Sequence, residues 1–294
     1  MNGVYNGIMG LVVGDALGVP VEFQPRDSFR IDRMTGYGTY NQPIGTWSDD
    51  SSMVLATMES LVRDKEIVPE HIMCNFAAWY KYGLFTPYGY AFDIGNTTKA
   101  AIQRYICGFS PMTCGGKSEM DNGNGSLMRI LPLAFVPHSI NDIRNVSALT
   151  HAHEISMMAC EIYIDIATAL LNGSEKSRSV EEAFFSGIPA EFERAAALVT
   201  APISRDDIQS TGYVVSTLEA ALWCFLTTNS YRDCVLEAVN LGGDTDTIAA
   251  IAGGLAGIYY GTGGKNGIPE EWIAQIARKD YIAALCKDVA NIGG

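Results

Sequence analysis

Two short segments far apart in the chain carry the residue types that could do chemistry together. The first is Ser48-Asp49-Asp50-Ser51-Ser52, and the second is Gly242-Gly243-Asp244-Thr245-Asp246-Thr247. Both set carboxylates beside hydroxyls, an all-oxygen donor set that suits hard cations such as Mg²⁺, Mn²⁺ or Ca²⁺. Each has an ordinary explanation by itself. Asp and Ser at a helix start satisfy unpaired backbone N–H groups, and glycines make turns. As a pair they say more. If the segments meet, Asp49, Asp50, Asp244 and Asp246 form a group of carboxylates that resist joint ionisation, and two dications would neutralise them.

Two other stretches hold candidate ligand groups. Asn122-Gly123-Asn124-Gly125-Ser126 is Gly-rich and precedes an expected helix. Backbone N–H groups at such a place can hold a pyrophosphate without a basic side chain. His151-Ala152-His153 has ligand-type residues but no Cys or third His nearby, which argues against a transition-metal site.

Positioning these groups falls to helices. Met53, Leu55, Met58 and Leu61 recur at helical spacing, with Asp49 or Asp50 as the expected cap. A long amphipathic helix is expected from Glu154 to Leu171, ending at Asn172-Gly173. Similar patterns cover 3–17, 69–82, 95–107, 126–136, 213–228, 231–239, 245–260 and 269–286, and no period-2 strand competes with them. The expected class is all-α. The 245–260 segment, with Ala249, Ala250, Ala252, Gly253, Gly254, Ala256 and Gly257, is small on every side and should run through the core. The loop in front of it, which holds Asp244, would then be rigidly placed.

At 294 residues and 48% hydrophobic, the chain can build its core without disulfides or a structural metal. No linker, charge run or repeat divides it, so one domain over 1–294 is expected. A net charge of −13 without a basic patch argues against nucleic acid or an anionic membrane as partner. The seven cysteines are odd in number and form no CxxC, which fits a reducing compartment. No Lys or Arg precedes Arg26, and Asp15 interrupts the first apolar stretch, so no signal peptide is expected. The longest apolar tract is expected to be Ile248–Tyr260, short of the ~20 residues that span a bilayer, and a cytoplasmic protein is expected.

In their order along the chain, the two acidic clusters resemble those of the ADP-ribosylglycohydrolase family, above all its bacterial branch typified by dinitrogenase reductase-activating glycohydrolase. Gly14-Asp15-Ala16-Leu17-Gly18 with Glu22-Phe23, Asp93-Ile94-Gly95-Asn96-Thr97-Thr98, Asn122 to Arg129, Thr150-His151 and Gly212-Tyr213-Val214-Val215 are similar to further family blocks. The resemblance implies a single-domain orthogonal helical bundle around two divalent cations, Mg²⁺ or Mn²⁺. Ser48, Asp49 and Asp50 would bind the first, Asp246 would bridge, and Asp244 with Thr247 would complete the second. Many relatives have Thr where Ser48 stands; the hydroxyl survives and the stiffening methyl is lost.

The same resemblance assigns Asp93 and Glu22 to catalysis, and leaves open which is the principal acid or base. Substrate contacts would come from Asn96, His151, Tyr213 and the loop of Asn122, Gly123, Asn124, Gly125 and Ser126, with His153 structural. The implied reaction is hydrolysis of the bond between ADP-ribose and a protein side chain, most of all arginine. Such cleavage builds oxocarbenium-like charge, which cations at the ribose hydroxyls and a carboxylate proton carrier would serve. The alternatives are a hydrolase of another ADP-ribose conjugate, an ADP-ribose- or toxin-binding immunity-type protein on the same scaffold, and a two-metal phosphohydrolase. The complete acidic set favours catalysis over binding alone.

Overall fold

Gly10, Gly14 and Gly18 stand four residues apart, on one face of a helix. In the computed structural model, which describes residues 2–185 and 189–292, that face lies directly against the small-residue helix near the other end of the chain. A Cβ on Gly10 would sit 2.3 Å from Gly253 O, one on Gly14 2.1 Å from Ala249 O, and one on Gly18 2.3 Å from Asp246 Cα. From the other side, a Cβ on Gly257 would meet Asn6 O at 2.2 Å. The two helices run antiparallel, backbone on backbone. Glycine costs a helix about 1 kcal/mol against Ala, and the close packing must offset it. Gly18 O accepts from the Thr245 hydroxyl at 2.9 Å, which locks the end that carries Asp246.

Among the described residues thirteen α-helices occur and no strand. They are α1 (Asn2–Gly18), α2 (Asp49–Asp64), α3 (Pro69–Tyr82), α4 (Asn96–Ile106), α5 (Ile140–Ala148), α6 (Glu154–Leu171), α7 (Lys176–Ala183), α8 (Glu193–Ala197), α9 (Val214–Thr227), α10 (Tyr231–Asn240), α11 (Thr245–Tyr260), α12 (Glu270–Gln275) and α13 (Lys279–Ala290). The all-α expectation holds, and α11 is central as its composition implies. One apolar core cluster reaches from Val4 to Val289. The longest apolar stretch is not Ile248–Tyr260 but Gly3–Val21, which has the length and hydropathy of a membrane span despite Asp15. In the fold, 83% of that window is buried inside the protein, as expected of a core helix.

Several boundaries differ from expectation. Segment 126–136 is not an α-helix but two 3₁₀ turns, Leu127–Arg129 and Leu131–Phe135, where Pro132 lacks the N–H a continuous helix would use. The Gly-rich loop therefore leads into a 3₁₀ turn, without the aligned dipole of a full helix. Segment 269–286 divides into α12 and α13 because Ile276 turns to extended backbone and Arg278 takes a left-handed φ of 51°. The cap of α2 is Ser48, whose Oγ accepts from Asp50 N at 3.3 Å, rather than Asp49 or Asp50. That difference matters, because it leaves both aspartates free for other work.

Candidate active site and metal centre

A carboxylate on α1 holds the start of α2 in place. Asp15 accepts from Ser48 N at 2.9 Å, from Ser51 N at 3.1 Å and from the Ser51 hydroxyl at 2.5 Å. It does for α2 what a capping-box acid does within one helix, but from a neighbouring element. Burial pushes its acid up to about 6, against those hydrogen bonds. Since α1 is fixed to α11, the chain of contacts runs from α11 through Asp15 to Asp49 and Asp50.

The second anchor is a pair of backbone bonds. Phe23 N donates to Gly243 O at 2.7 Å, and Gly243 N to Gln24 O at 2.9 Å, so the Glu22 loop and the Asp244 loop form one unit. Gly243 has φ 71°, and a Cβ there would lie 2.1 Å from Ser210 O. Only glycine fits. Arg26 ties the unit down, donating to the carbonyls of Leu241 at 2.9 Å, Arg205 at 2.8 Å and Ile208 at 2.5 Å.

These anchors surround a cavity of about 340 Å³. Glu22, Asp49, Asp50, Asp93, Asp244 and Thr247 are among its lining. Asn96, Gly123, Asn124, Gly125 and His151 line it too, beside Gly95, Thr97, Thr98 and Gly212, and so do Phe23, Met120 and Met128, to which the sequence gives no site role. Ser48 and Asp246 are buried and are not among the lining residues. Three of the expected substrate contacts are elsewhere. The Asn122 side chain is occupied by Ser156 and His153, both at 2.9 Å. The Ser126 hydroxyl accepts from Ser147 at 2.9 Å. Tyr213 is 42% exposed, outside the lining, with its backbone bridged to Gly123. Asn122 and Ser126 shape the loop rather than present their side chains to the cavity.

The carboxylates share a pattern. Asp244 Oδ2 accepts from Asn124 Nδ2 at 2.8 Å, and Asp246 Oδ1 from Thr247 N at 2.9 Å. Asp50 Oδ1 accepts from the Thr247 hydroxyl at a long 3.4 Å. The other oxygen of each, Asp244 Oδ1, Asp246 Oδ2 and Asp50 Oδ2, is buried without a partner among the described residues, and so is Glu22 Oε2. One oxygen aims each side chain and the other is left bare. Bare buried oxygens are costly unless something positive meets them. Burial pushes Asp49, Asp50 and Asp246 well above the usual carboxylate range, with neighbouring carboxylates adding to it, and raises Asp244. Glu22 is pushed up to about 10, by burial and then by Asp93 and Asp244. One oxygen each from Glu22, Asp93 and Asp246 lies within 4.8 Å of the others. An all-oxygen, buried and under-neutralised set fits a hard divalent cation.

Asp93 is held differently. Its φ is 56°, a left-handed conformation uncommon outside glycine, and the Tyr40 hydroxyl donates to its Oδ1 at 2.5 Å. The cap position of α4 is Gly95, so Asp93 does not cap that helix. His151 is buried, with its Nδ1 2.8 Å from the Thr150 hydroxyl. Burial and then Arg129 push its imidazolium down to about 3, so the ring is neutral. His153 accepts from Ile155 N at the start of α6, a structural role as expected. Sequence reading missed Tyr40 and gave no role to Asp15, although a lone acid inside an apolar helix is a signal for the latter.

A sequence profile described as ADP-ribosylglycohydrolase matches residues 2–293. The chain belongs to the ADP-ribosylglycohydrolase family. This glycohydrolase is 33% identical to "ADP-ribosylarginine hydrolase Tri1" of Pseudomonas putida (strain GB-1), over 96% of its own length and 76% of that protein. It is 32% identical to "ADP-ribosyl-[dinitrogen reductase] glycohydrolase" of Rhodospirillum rubrum, over 92% of its own length and 89% of the relative. A solved structure titled "ADP-ribosylglycohydrolase-related protein complex" superposes with a TM-score of 0.84 at 29% identity, covering 100% of this chain and 98% of that one. The glycohydrolase is thus an enzyme of the hydrolase class with the family's all-α fold, and the buried acidic cavity lies within the matched region.

Proposed function

We propose that this glycohydrolase removes ADP-ribose from arginine side chains of modified proteins and does so with two divalent cations, Mg²⁺ or Mn²⁺. The observation that carries the reading is the cluster of buried carboxylates at one cavity: Glu22, Asp50 and Asp244 line it with one oxygen of each bare, and Asp246, also with a bare oxygen, lies within 4.8 Å of Glu22 and Asp93. The relatives named for ADP-ribosylarginine and ADP-ribosyl-dinitrogen reductase support the substrate. Ser48, Asp49, Asp50 and Asp246 would hold one cation, and Asp244, Asp246 and Thr247 the other. Bound there, the cations supply electrostatic orientation of ribose hydroxyls and polarisation of water.

The chain's own groups do the rest. At Gly123 and Gly125 the backbone has no Cβ, which lets an anionic diphosphate approach closely. Neutral His151 offers a hydrogen bond without a charge. In the reaction, the bond from the ribose anomeric carbon to the guanidine nitrogen breaks and water oxygen takes its place. One water proton passes to a carboxylate, and one proton reaches the departing nitrogen. Asp93, fixed by Tyr40, and Glu22, with its bare Oε2, are the groups placed to move them. The seven cysteines are all free, which supports a reducing, cytoplasmic setting.

The deciding experiment is mass spectrometry of an arginine-ADP-ribosylated peptide incubated with Mg²⁺, with Mn²⁺ and with EDTA. Metal-dependent release of free ADP-ribose and unmodified arginine is expected. Release of AMP would indicate phosphohydrolysis. Tight ADP-ribose binding with no release under any condition would overturn the catalytic reading in favour of a binding protein.

A further inference from the structure

Arg129 is wholly buried in the 3₁₀ turn that follows the Gly123–Gly125 loop, and no carboxylate pairs with it among the described residues. Its guanidinium lies over the Phe76 ring, 4.5 Å from the centroid, and its Nε and Nη1 have no partner among the described residues. Only Nη2 is used, donating to Val146 O at 3.1 Å and to the Thr150 hydroxyl oxygen at 2.8 Å. An unpaired buried guanidinium is expensive, so packing alone is a poor reason to place one here.

The consequence lies one residue further on. Thr150 Oγ1 also sits 2.8 Å from His151 Nδ1. A guanidinium has donors and no acceptor, whereas a hydroxyl has one proton and two lone pairs. With Arg129 donating to the oxygen, the hydroxyl proton is free to point at Nδ1. Nδ1 then accepts, and the ring proton belongs on Nε2. That edge faces the Gly-rich loop: a Cβ on Gly125 would lie 3.3 Å from Nε2, and one on Gly123 3.4 Å. The backbone on either side is pinned, since Gly116 N donates to Thr150 O at 2.9 Å and Ala152 N to Gly116 O at 2.7 Å. The charged groups bearing on the ring are Arg129 and Asp121.

We propose that Arg129, acting through Thr150, is a positioning residue that fixes His151 in the Nε2–H tautomer, so that a neutral imidazole donates to a substrate oxygen in the cavity. Naming ADP-ribose as the source of that oxygen rests on the function proposed above; the tautomer does not.

Both parts are tested on the full chain. Imidazole ¹H–¹⁵N correlation spectra, with the His151 signals assigned by their loss in His151→Gln, should show a neutral Nε2–H ring. Thr150→Val should lose that single pattern, and Thr150→Ser should restore it. In calorimetry with ADP-ribose, Thr150→Val should bind about tenfold more weakly and Thr150→Ser like the wild type, as expected for one hydrogen bond to a charged group. Arg129→Met should follow Thr150→Val if it folds. An Nδ1–H ring in the wild type, or an unchanged tautomer and affinity in Thr150→Val, would overturn the relay. A relay that responds as described in a protein that does not bind ADP-ribose would leave the relay standing and sink the proposed substrate.

Discussion

At the scale of single residues, the site depends on side chains that each do one thing. Tyr40 donates one short hydrogen bond to Asp93, whose backbone already sits in a left-handed conformation. Tyr40→Phe keeps the ring, which packs against Phe92 at 5.1 Å between centroids, and removes only the donor. Activity should fall about tenfold while cation affinity stays the same, the cost of one hydrogen bond to a charged acceptor. An unchanged rate would show that Asp93 does not need Tyr40. Asp246 stands at the other extreme. It is wholly buried at the start of α11 with one oxygen bare. Asp246→Ala should abolish cation binding and turnover together, with the helical circular dichroism preserved. Full activity in that variant would end the proposal of a metal centre built on Asp246.

The residue scale also shows what a sequence can reveal. Asp49, Asp50, Asp244 and Asp246 were legible because acids and hydroxyls crowd a helix start. Tyr40 was not, because its value comes from a contact with Asp93 across two loops that no spacing rule connects. Asn122 and Ser126 show the opposite case: their types suit a ligand, but their side chains are already hydrogen-bonded to Ser156, His153 and Ser147, which no spacing rule could foretell.

At the scale of elements, the α1–α11 seam is the feature on which the rest leans. Small residues in 245–260 correctly implied a central helix, and the partner's glycines at four-residue spacing show why it can be so close. The boundaries that failed did so where local backbone geometry overrides apolar periodicity. Pro132 prevents an α-helix across 126–136, and extended Ile276 with the left-handed Arg278 separates α12 from α13. The seam gives a sharp expectation. A methyl at Gly14 would need space that Ala249 O occupies at 2.1 Å, so the helices must part. Gly14→Ala should therefore cost more than the ~1 kcal/mol it would gain from helix propensity, for a net loss of a few kcal/mol. Thermal melting would measure it. Because Asp15 neighbours Gly14 and holds α2, cation affinity should fall in the same variant. A stabilised Gly14→Ala with normal affinity would contradict the close packing.

At the scale of the whole molecule, the carboxylates are a liability that a ligand can relieve. Buried acids raise the free energy of the folded state unless protons or cations meet them. A cation that binds the folded chain and not the unfolded one, present at a hundred times its dissociation constant, adds about 2.7 kcal/mol. For a chain of this size that is a rise of several degrees in Tm. Mg²⁺ or Mn²⁺ should raise Tm, and EDTA should reverse the change. No shift with either ion would count against a cation site in this cavity.

The seam has a further consequence for the chain as it is made. Asp50 and Thr247, which touch in the finished site, are separated by 197 positions. At about 5–20 residues per second, a ribosome needs roughly 10–40 s to produce the second after the first. Throughout that interval α1, apolar enough to pass for a membrane span, has no α11 to receive its glycine face. The active centre thus cannot assemble until α11 has been made, and a chain that stops before α11 would carry the exposed helix without the site.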